Sequence, residues 1–170
     1  MTGTRISARV VLLDDDGTVL LFCGSDPAIT DGTAPRWWFT VGGQVQPDEP
    51  LAHAAARELA EETGLAAGHQ AMVGPVWRRE SEICFNGAVM ASEEFYFVHR
   101  TRRFDPSPAG RTPLELRYIH GHRWCDAADI AGLAAAGQRV YPRELPDLLG
   151  EANLLADSPG DRPPRPRAIR

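Results

Sequence analysis

The sequence predicts an α/β (α+β) domain, and three observations carry that expectation. Two apolar runs flank an Asp-rich turn at the start. The apolar spacing changes to a helical period after Gly42-Gly43. β-rich runs then return, before two more helical segments near the end. At 170 residues the chain fits one domain, with or without an appendage, and can bury a core without disulfide staples.

Arg5 to Leu13 and Val19 to Cys23 are apolar and β-branched, and Asp14-Asp15-Asp16-Gly17 between them supplies turn chemistry, so a β-hairpin is expected. Ser25 to Pro35 is polar, with Gly and two prolines, and reads as a surface loop. Arg36 to Val41, RWWFTV, reads as a short strand running into the bend at Gly42-Gly43. From Pro50 to Thr63 the apolar residues Leu51, Ala54, Ala55 and Leu59 recur at helical spacing. Asp48 is the expected cap, Pro50 sits in the first turn, and Gly64 follows the end. Val73 to Arg79, Ile83 to Phe85 and Glu94 to Arg100 read as strands, with Asn86-Gly87 at the middle join. Arg102 to Pro113 reads as a loop and Leu116 to Trp124 as a last strand. Helices follow over Asp126 to Leu133 and Arg143 to Leu155. Residues 1–156 are therefore assigned to the domain. Residues 157–170, with four prolines and four arginines, are assigned to a disordered tail, because they carry little apolar surface to offset the entropy of ordering.

Composition removes several function classes. The net charge is −5, which invites neither nucleic acid nor an anionic membrane, and no apolar run is long enough to span a bilayer. All 18 basic residues are arginine, so Schiff-base and Walker lysines are excluded. The first ten residues lack a signal-peptide pattern. Cys23, Cys84 and Cys125 show neither disulfide nor zinc spacing, so a reducing cytoplasm is expected.

The chemistry concentrates between Gly43 and Leu65. On a helix Glu58, Glu61 and Glu62 stand at i, i+3 and i+4, about 5 to 6 Å apart at Cβ. Glu-rich faces are usually solvated surface, but three carboxylates this close favour a cation. Hard oxygen ligands without His or Cys suit Mg²⁺ or Mn²⁺, and Mg²⁺ commonly shares such carboxylates with substrate phosphates. Arg57 can fork onto a carboxylate arriving from the preceding loop, for which Glu49 is nearest in sequence. Gly42 and Gly43 let the backbone bend towards the metals, where the Gly42 carbonyl is an expected ligand.

This stretch resembles the box of the Nudix hydrolases, G-x5-E-x7-R-E-U-x-E-E-x-G-U with U a large aliphatic residue. It matches at Gly43, Glu49, Arg57, Glu58, Leu59, Glu61, Glu62, Gly64 and Leu65. The resemblance implies the Nudix fold, a mixed β-sheet sandwiched between helices. It also implies hydrolysis of a nucleoside diphosphate linked to a further group. By the same resemblance Glu58, Glu61 and Glu62 bind the divalent metal, while Glu49 and Arg57 form an orienting pair. A small-molecule nucleotide is the expected partner, with a homodimer as the family's frequent assembly. Breaking a phosphoanhydride requires charge neutralisation, an activated water and a stabilised leaving group. The base lies outside the box in many relatives. Glu115 is the first choice here, followed by Glu93 and Glu94.

For substrate contacts the sequence offers Trp37, Trp38 and Phe39, of which strand alternation lets only some face a ligand, and Arg78 with Arg36 and Arg79 for phosphates or a sugar. Features of the relatives acting on ADP-ribose, diadenosine polyphosphates and NADH are absent, which leaves a nucleoside triphosphate or a sugar nucleotide. Two other classes compete: a nucleotide-sensing module without turnover, and a prenyl diphosphate isomerase using Cys84. The intact box opposes both. Cys84 and Cys125 otherwise read as small core residues.

Overall fold

The computed structural model describes residues 3–170. The N-terminal hairpin forms as expected from β1 (Arg5–Leu13) and β2 (Val19–Ser25). Asp14 ties the turn: its Oδ1 accepts the N–H groups of Asp16 at 3.1 Å and Thr18 at 2.9 Å. β3 (Arg36–Gln44) pairs antiparallel with β2 from Arg36 to Thr40 and with β1 from Val41 to Gln44, so the two glycines lie opposite Arg9 and Ala8 of β1. β4 (Val73–Phe85) and β5 (Ala88–Arg100) make one long hairpin. Asn86 and Gly87 turn it at φ 50° and 77°, the positive values that a two-residue turn matching strand twist requires.

Helix α1 (Leu51–Thr63) stops at Gly64, whose φ of 80° lets its N–H reach the Ala60 carbonyl at 2.9 Å. Its start is not the expected one. Pro50 occupies the cap position, no side chain caps the helix, and Asp48 instead takes a left-handed turn at φ 61°. The chain continues through α2 (Pro113–Tyr118), β6 (Ile119–Cys125), α3 (Ala127–Ala135), β7 (Arg139–Tyr141), α4 (Leu145–Asp157) and β8 (Arg167–Ile169).

The eight strands form a mixed sheet in the order β6-β2-β3-β1-β5-β4-β8, with β7 paired to β3. Strand alternation builds a core on each face. Ala8, Val10 and Leu12 point with Leu20 and Phe22 towards α1, which contributes Ala54, Ala55 and Leu59. Val11, Leu13, Val19 and Leu21 point the other way, onto Ile130 and Leu133 of α3 and the apolar stripe of α4. The sheet is thus sandwiched between helices.

Three further expectations are corrected. Leu116 to Tyr118 are helical, because Thr112 and Glu115 form a capping box and Pro113 opens the first turn. Residues 157–170 are not a free tail. After a 3-10 turn at Pro159–Asp161, β8 runs parallel to β4 from Trp77 to Arg79, and Ile169 is buried in the α3/α4 core. Sheet pairing supplies what the composition lacks, and the domain extends past residue 156. Cys84 is exposed on the hairpin arm, whereas Cys125 is fully buried.

Candidate active site

The helical period of α1 divides the three box glutamates. At about 100° per residue Glu62 lies some 40° from Glu58 on one flank, and Glu61 about 60° away on the other. Glu58 and Glu62 consequently face the sheet and are buried, while the Glu61 side chain remains 40% exposed. Glu115, delivered by α2, completes the inward group: one carboxylate oxygen each from Glu58, Glu62 and Glu115 lie within 4.8 Å of one another. The carboxylate of Glu115 also accepts the Thr112 N–H at 2.7 Å, so the cap that starts α2 holds this side chain at the site. Glu61 stays outside the trio and bonds Arg57 Nη1 at 3.2 Å.

Electrostatics mark the trio as incomplete. Burial pushes Glu62 up to about 8, against the opposing effects of the Gly42 N–H and of Arg9. Burial also raises Glu58, although Arg57 opposes it. Among the described residues Glu62 Oε1 is buried with no hydrogen-bond partner, while Oε2 takes the Gly42 N–H at 2.8 Å. An orphaned carboxylate oxygen beside two further carboxylates suits a hard divalent cation, so these residues fit the metal their resemblance implies.

Arg57 locks the loop to the helix. Nε and Nη2 bond the two oxygens of Glu49 at 2.8 and 2.9 Å, Nη1 bonds Glu58 at 2.9 Å, and Nη2 also reaches the Gln44 carbonyl at 3.0 Å. The fork, first among the causes, holds Glu49 below the usual carboxylate range. Gly43 leaves the room this needs, since a Cβ there would stand 2.7 Å from the Glu58 carboxylate.

The Gly42 carbonyl, the expected backbone ligand, is already hydrogen-bonded in this structure. It accepts Arg9 Nη1 at 2.7 Å. The aromatic trio also divides. Phe39 is buried against Phe22 and Tyr118, and Trp38 packs on the α3/α4 core with Nε1 bonded to Gln138 at 2.6 Å. Neither is free to stack on a base. Trp37, half-buried on the α1 side, remains available. Arg78 is paired with Glu80 and Glu93 along the hairpin. Glu94 is buried between Arg9, Arg79 and Tyr96, an ion cluster inside the sheet rather than a proton acceptor for water.

Sequence reasoning missed Tyr118 and Arg9. The Tyr118 hydroxyl is pushed up by burial first and then by Glu62, so it remains a donor beside the trio. Arg9 was visible as a charge at an inward position of an apolar strand, a pattern that requires a buried partner.

Comparison with known proteins fits this geometry. The family model described as NUDIX domain matches residues 3–146. A curated relative, an m7GpppN-mRNA hydrolase from Bos taurus, is 40% identical over 63 residues, which are 37% of this chain and 20% of that protein. The match therefore spans about a fifth of that relative's length. Among solved structures, a NUDIX hydrolase from Nitrosomonas europaea superposes with a TM-score of 0.59 at 20% identity, covering 96% of this chain and 93% of the other. The E. coli dihydroneopterin triphosphate pyrophosphohydrolase gives 0.56 at 19% identity, covering 87% and 95%. A C. elegans Ap4A hydrolase gives 0.55 at 18%, covering 91% and 98%. These likenesses concern the fold. The family match spans most of the sequence and the box residues assemble around one acidic trio, so the chain belongs to the Nudix family.

Proposed function

We propose that the protein is a Mg²⁺- or Mn²⁺-dependent pyrophosphohydrolase cleaving a phosphoanhydride in a nucleoside diphosphate linked to another group, a nucleoside triphosphate or a nucleotide sugar. The observation that carries the reading is the orphaned Glu62 oxygen, buried beside Glu58 and Glu115. The relatives reported above are themselves named as hydrolases, which supports the reading.

Glu58, Glu62 and Glu115 hold the cation, with Glu61 at the exposed edge. When bound, the metal neutralises the trio together with the phosphate oxygens of the substrate. Arg57 and Glu49 keep the loop after β3 fixed against α1, so the carboxylates are positioned before substrate arrives. Glu115 is the least buried of the trio and is the group assigned to take the proton of the attacking water. Tyr118 donates from its hydroxyl to the oxygen that gains charge. Trp37 supplies a face for a base. A homodimer belongs to the same reading, and light scattering checks it. So does a reducing cytoplasm, consistent with the three free thiols. Among the described residues no helix is long and apolar enough to cross a membrane.

The test is a panel of nucleoside triphosphates, nucleotide sugars, dinucleotides and CoA with Mg²⁺, scored for phosphate and pyrophosphate. Glu62→Gln should reduce turnover at least a hundredfold and Glu115→Gln at least tenfold. Undiminished activity in Glu62→Gln would falsify the metal assignment. Tight nucleotide binding with no product across the panel would instead favour the sensing module.

A further inference from the structure

Helix α1 ends with carbonyls that its own backbone cannot use. Gly64 takes that of Ala60, and the loop 101–112 between β5 and α2 takes two others. The Ser107 N–H donates to the Thr63 carbonyl at 2.8 Å, and Arg111 Nε donates to the Glu62 carbonyl at 3.1 Å. Between these two contacts Gly110 lies flat against the helix: a Cβ there would stand 2.7 Å from the Glu61 carbonyl oxygen and 3.1 Å from the Glu61 Cα. Loop and helix end therefore meet along Glu61 to Thr63, and the closest point leaves no room for a side chain.

Arg111 closes this junction. Its guanidinium also faces the ring of Phe22 on β2, with Cζ 4.8 Å from the centroid, so one side chain joins the sheet to the end of α1. A cation is favourable at that end of a helix, where the carbonyls point outward. The next residue, Thr112, caps α2, and Glu115 follows within its first turn. Glu62 is thus reached twice by one short segment. Arg111 holds its main-chain carbonyl, and Glu115 places a carboxylate oxygen within 4.8 Å of those of Glu62 and Glu58. Glu58 and Glu62 sit one turn apart on the same helix and stay together without help. Glu115 comes from α2, whose six residues are too few to be stable alone, so its position depends on how the preceding loop is fixed.

We propose that Arg111 is a positioning residue: by clamping the loop 101–112 to the end of α1 it sets Glu115 against Glu58 and Glu62, and the trio is complete only while the clamp is closed. This rests on the reading of the trio as a cation site and adds the residue that assembles it. Arg111 acts on the site through Glu115 and through the Glu62 main chain. Partners that orient metal ligands in this way commonly change metal affinity by about 10- to 100-fold.

The test is a double-mutant cycle on Mn²⁺ affinity, measured by calorimetry. Arg111→Gln should weaken Mn²⁺ binding about tenfold in the wild-type background. In the Glu115→Gln background it should cost less than about twofold, because the group it positions is no longer a carboxylate. Arg111→Lys keeps the charge but not the planar face over Phe22, and should recover part of the loss. Gly110→Ala pushes the loop off Glu61 and should show the same dependence on Glu115; it carries the comparison if Arg111→Gln fails to fold. Equal Mn²⁺ affinity in wild type and Arg111→Gln overturns the proposal. An equal loss in both backgrounds also overturns it, since that is the result of a purely structural role. Hydrogen exchange on the metal-free protein reads the clamp independently. The amides of Ser107 and Glu115 should exchange about tenfold faster in Arg111→Gln, and unchanged exchange at both overturns the proposal whether or not Mn²⁺ binds. A protein that binds Mn²⁺ with this dependence on Glu115 yet turns over no nucleotide sinks the hydrolase reading and leaves the clamp intact.

Discussion

Arg57 grips both carboxylate oxygens of Glu49, eight residues earlier in the chain, and with the same guanidinium holds Glu58. One side chain thereby sets the distance between the loop that follows β3 and the helix that carries Glu58 and Glu62 of the acidic trio. The relationship depends on a planar group with several donors, since a single ammonium cannot span Glu49 and Glu58 in the same plane.

Arg57→Lys is therefore expected to lower kcat about 10- to 100-fold while the fold persists. The pair is partly exposed, so the stability loss should stay near 1 kcal/mol. Steady-state kinetics beside thermal unfolding check both parts. A variant with near-native kcat would show that the fork has no positioning role.

The two glycines make a contrasting pair. At Gly43 an added Cβ meets only the end of the flexible Glu58 side chain, at 2.7 Å. Gly43→Ala should fold with a Tm within a few degrees of wild type but bind Mn²⁺ at least tenfold more weakly, because Glu58 must swing out of the trio. At Gly42 the φ of 132° disfavours any side chain, and a Cβ would come within 2.2 Å of the Ala8 carbonyl. Gly42→Ala should cost several kcal/mol of stability. Calorimetric metal titration and melting curves on both variants separate the cases, and the assignment fails if their effects are reversed.

Glu94 gives a pH-dependent prediction. Burial alone would raise its pKa, but Arg9, Arg79 and the Tyr96 hydroxyl pull it below the ordinary value of 4.5. A carboxylate depressed in the folded state contributes stability above the unfolded value, and that contribution disappears as pH falls through the folded one. Glu94→Gln should therefore lose about 3 kcal/mol at pH 7, because Arg9 and Arg79 are left buried without their counter-charge. The difference from wild type should shrink as pH drops below about 4.5. Denaturant unfolding at a series of pH values measures it, and a constant difference down to pH 3 would contradict the proposed ion cluster.

Local pattern made much of this molecule legible. The hairpin at Asp14, the α1 stop at Gly64 and the turn at Asn86-Gly87 each depend on residues within a few positions. The box residues were legible for the same reason, since Glu49 to Glu62 lie on one loop and one helix. The Thr112-Pro-Leu-Glu115 start of α2 was equally local, a capping box with Pro at its first turn that was read instead as loop and strand. Longer-range features were hidden. Nothing near Gly42 announces that its carbonyl would be taken by Arg9, 33 residues away. Which face Trp38 and Phe39 chose depended on where β2, β1 and β7 joined β3.

The C-terminal strand is the clearest long-range case, and it yields the last prediction. Four prolines and four arginines in residues 157–170 argue for disorder, yet β8 needs only three residues to pair with β4 and one apolar side chain, Ile169, to enter the core. Burying an isoleucine contributes about 1.5 to 3 kcal/mol, and the parallel pairing also covers an edge of the sheet at Trp77 to Arg79. Deleting residues 167–170 should accordingly lower stability by about 2 to 3 kcal/mol and Tm by roughly 4 to 10 °C. It should also increase aggregation on heating through the uncovered β4 edge. Ile169→Ala isolates the core term and should account for most of the loss in stability while leaving the edge covered. The acidic trio is carried by α1 and α2 and not by β4 or β8, so the substrate profile of the truncated protein should match the full chain at temperatures below its midpoint. Native-state hydrogen exchange provides the direct readout: amides of Trp77 to Arg79 protected in the full chain should exchange faster after truncation, and unchanged exchange and Tm would show that the strand contributes nothing.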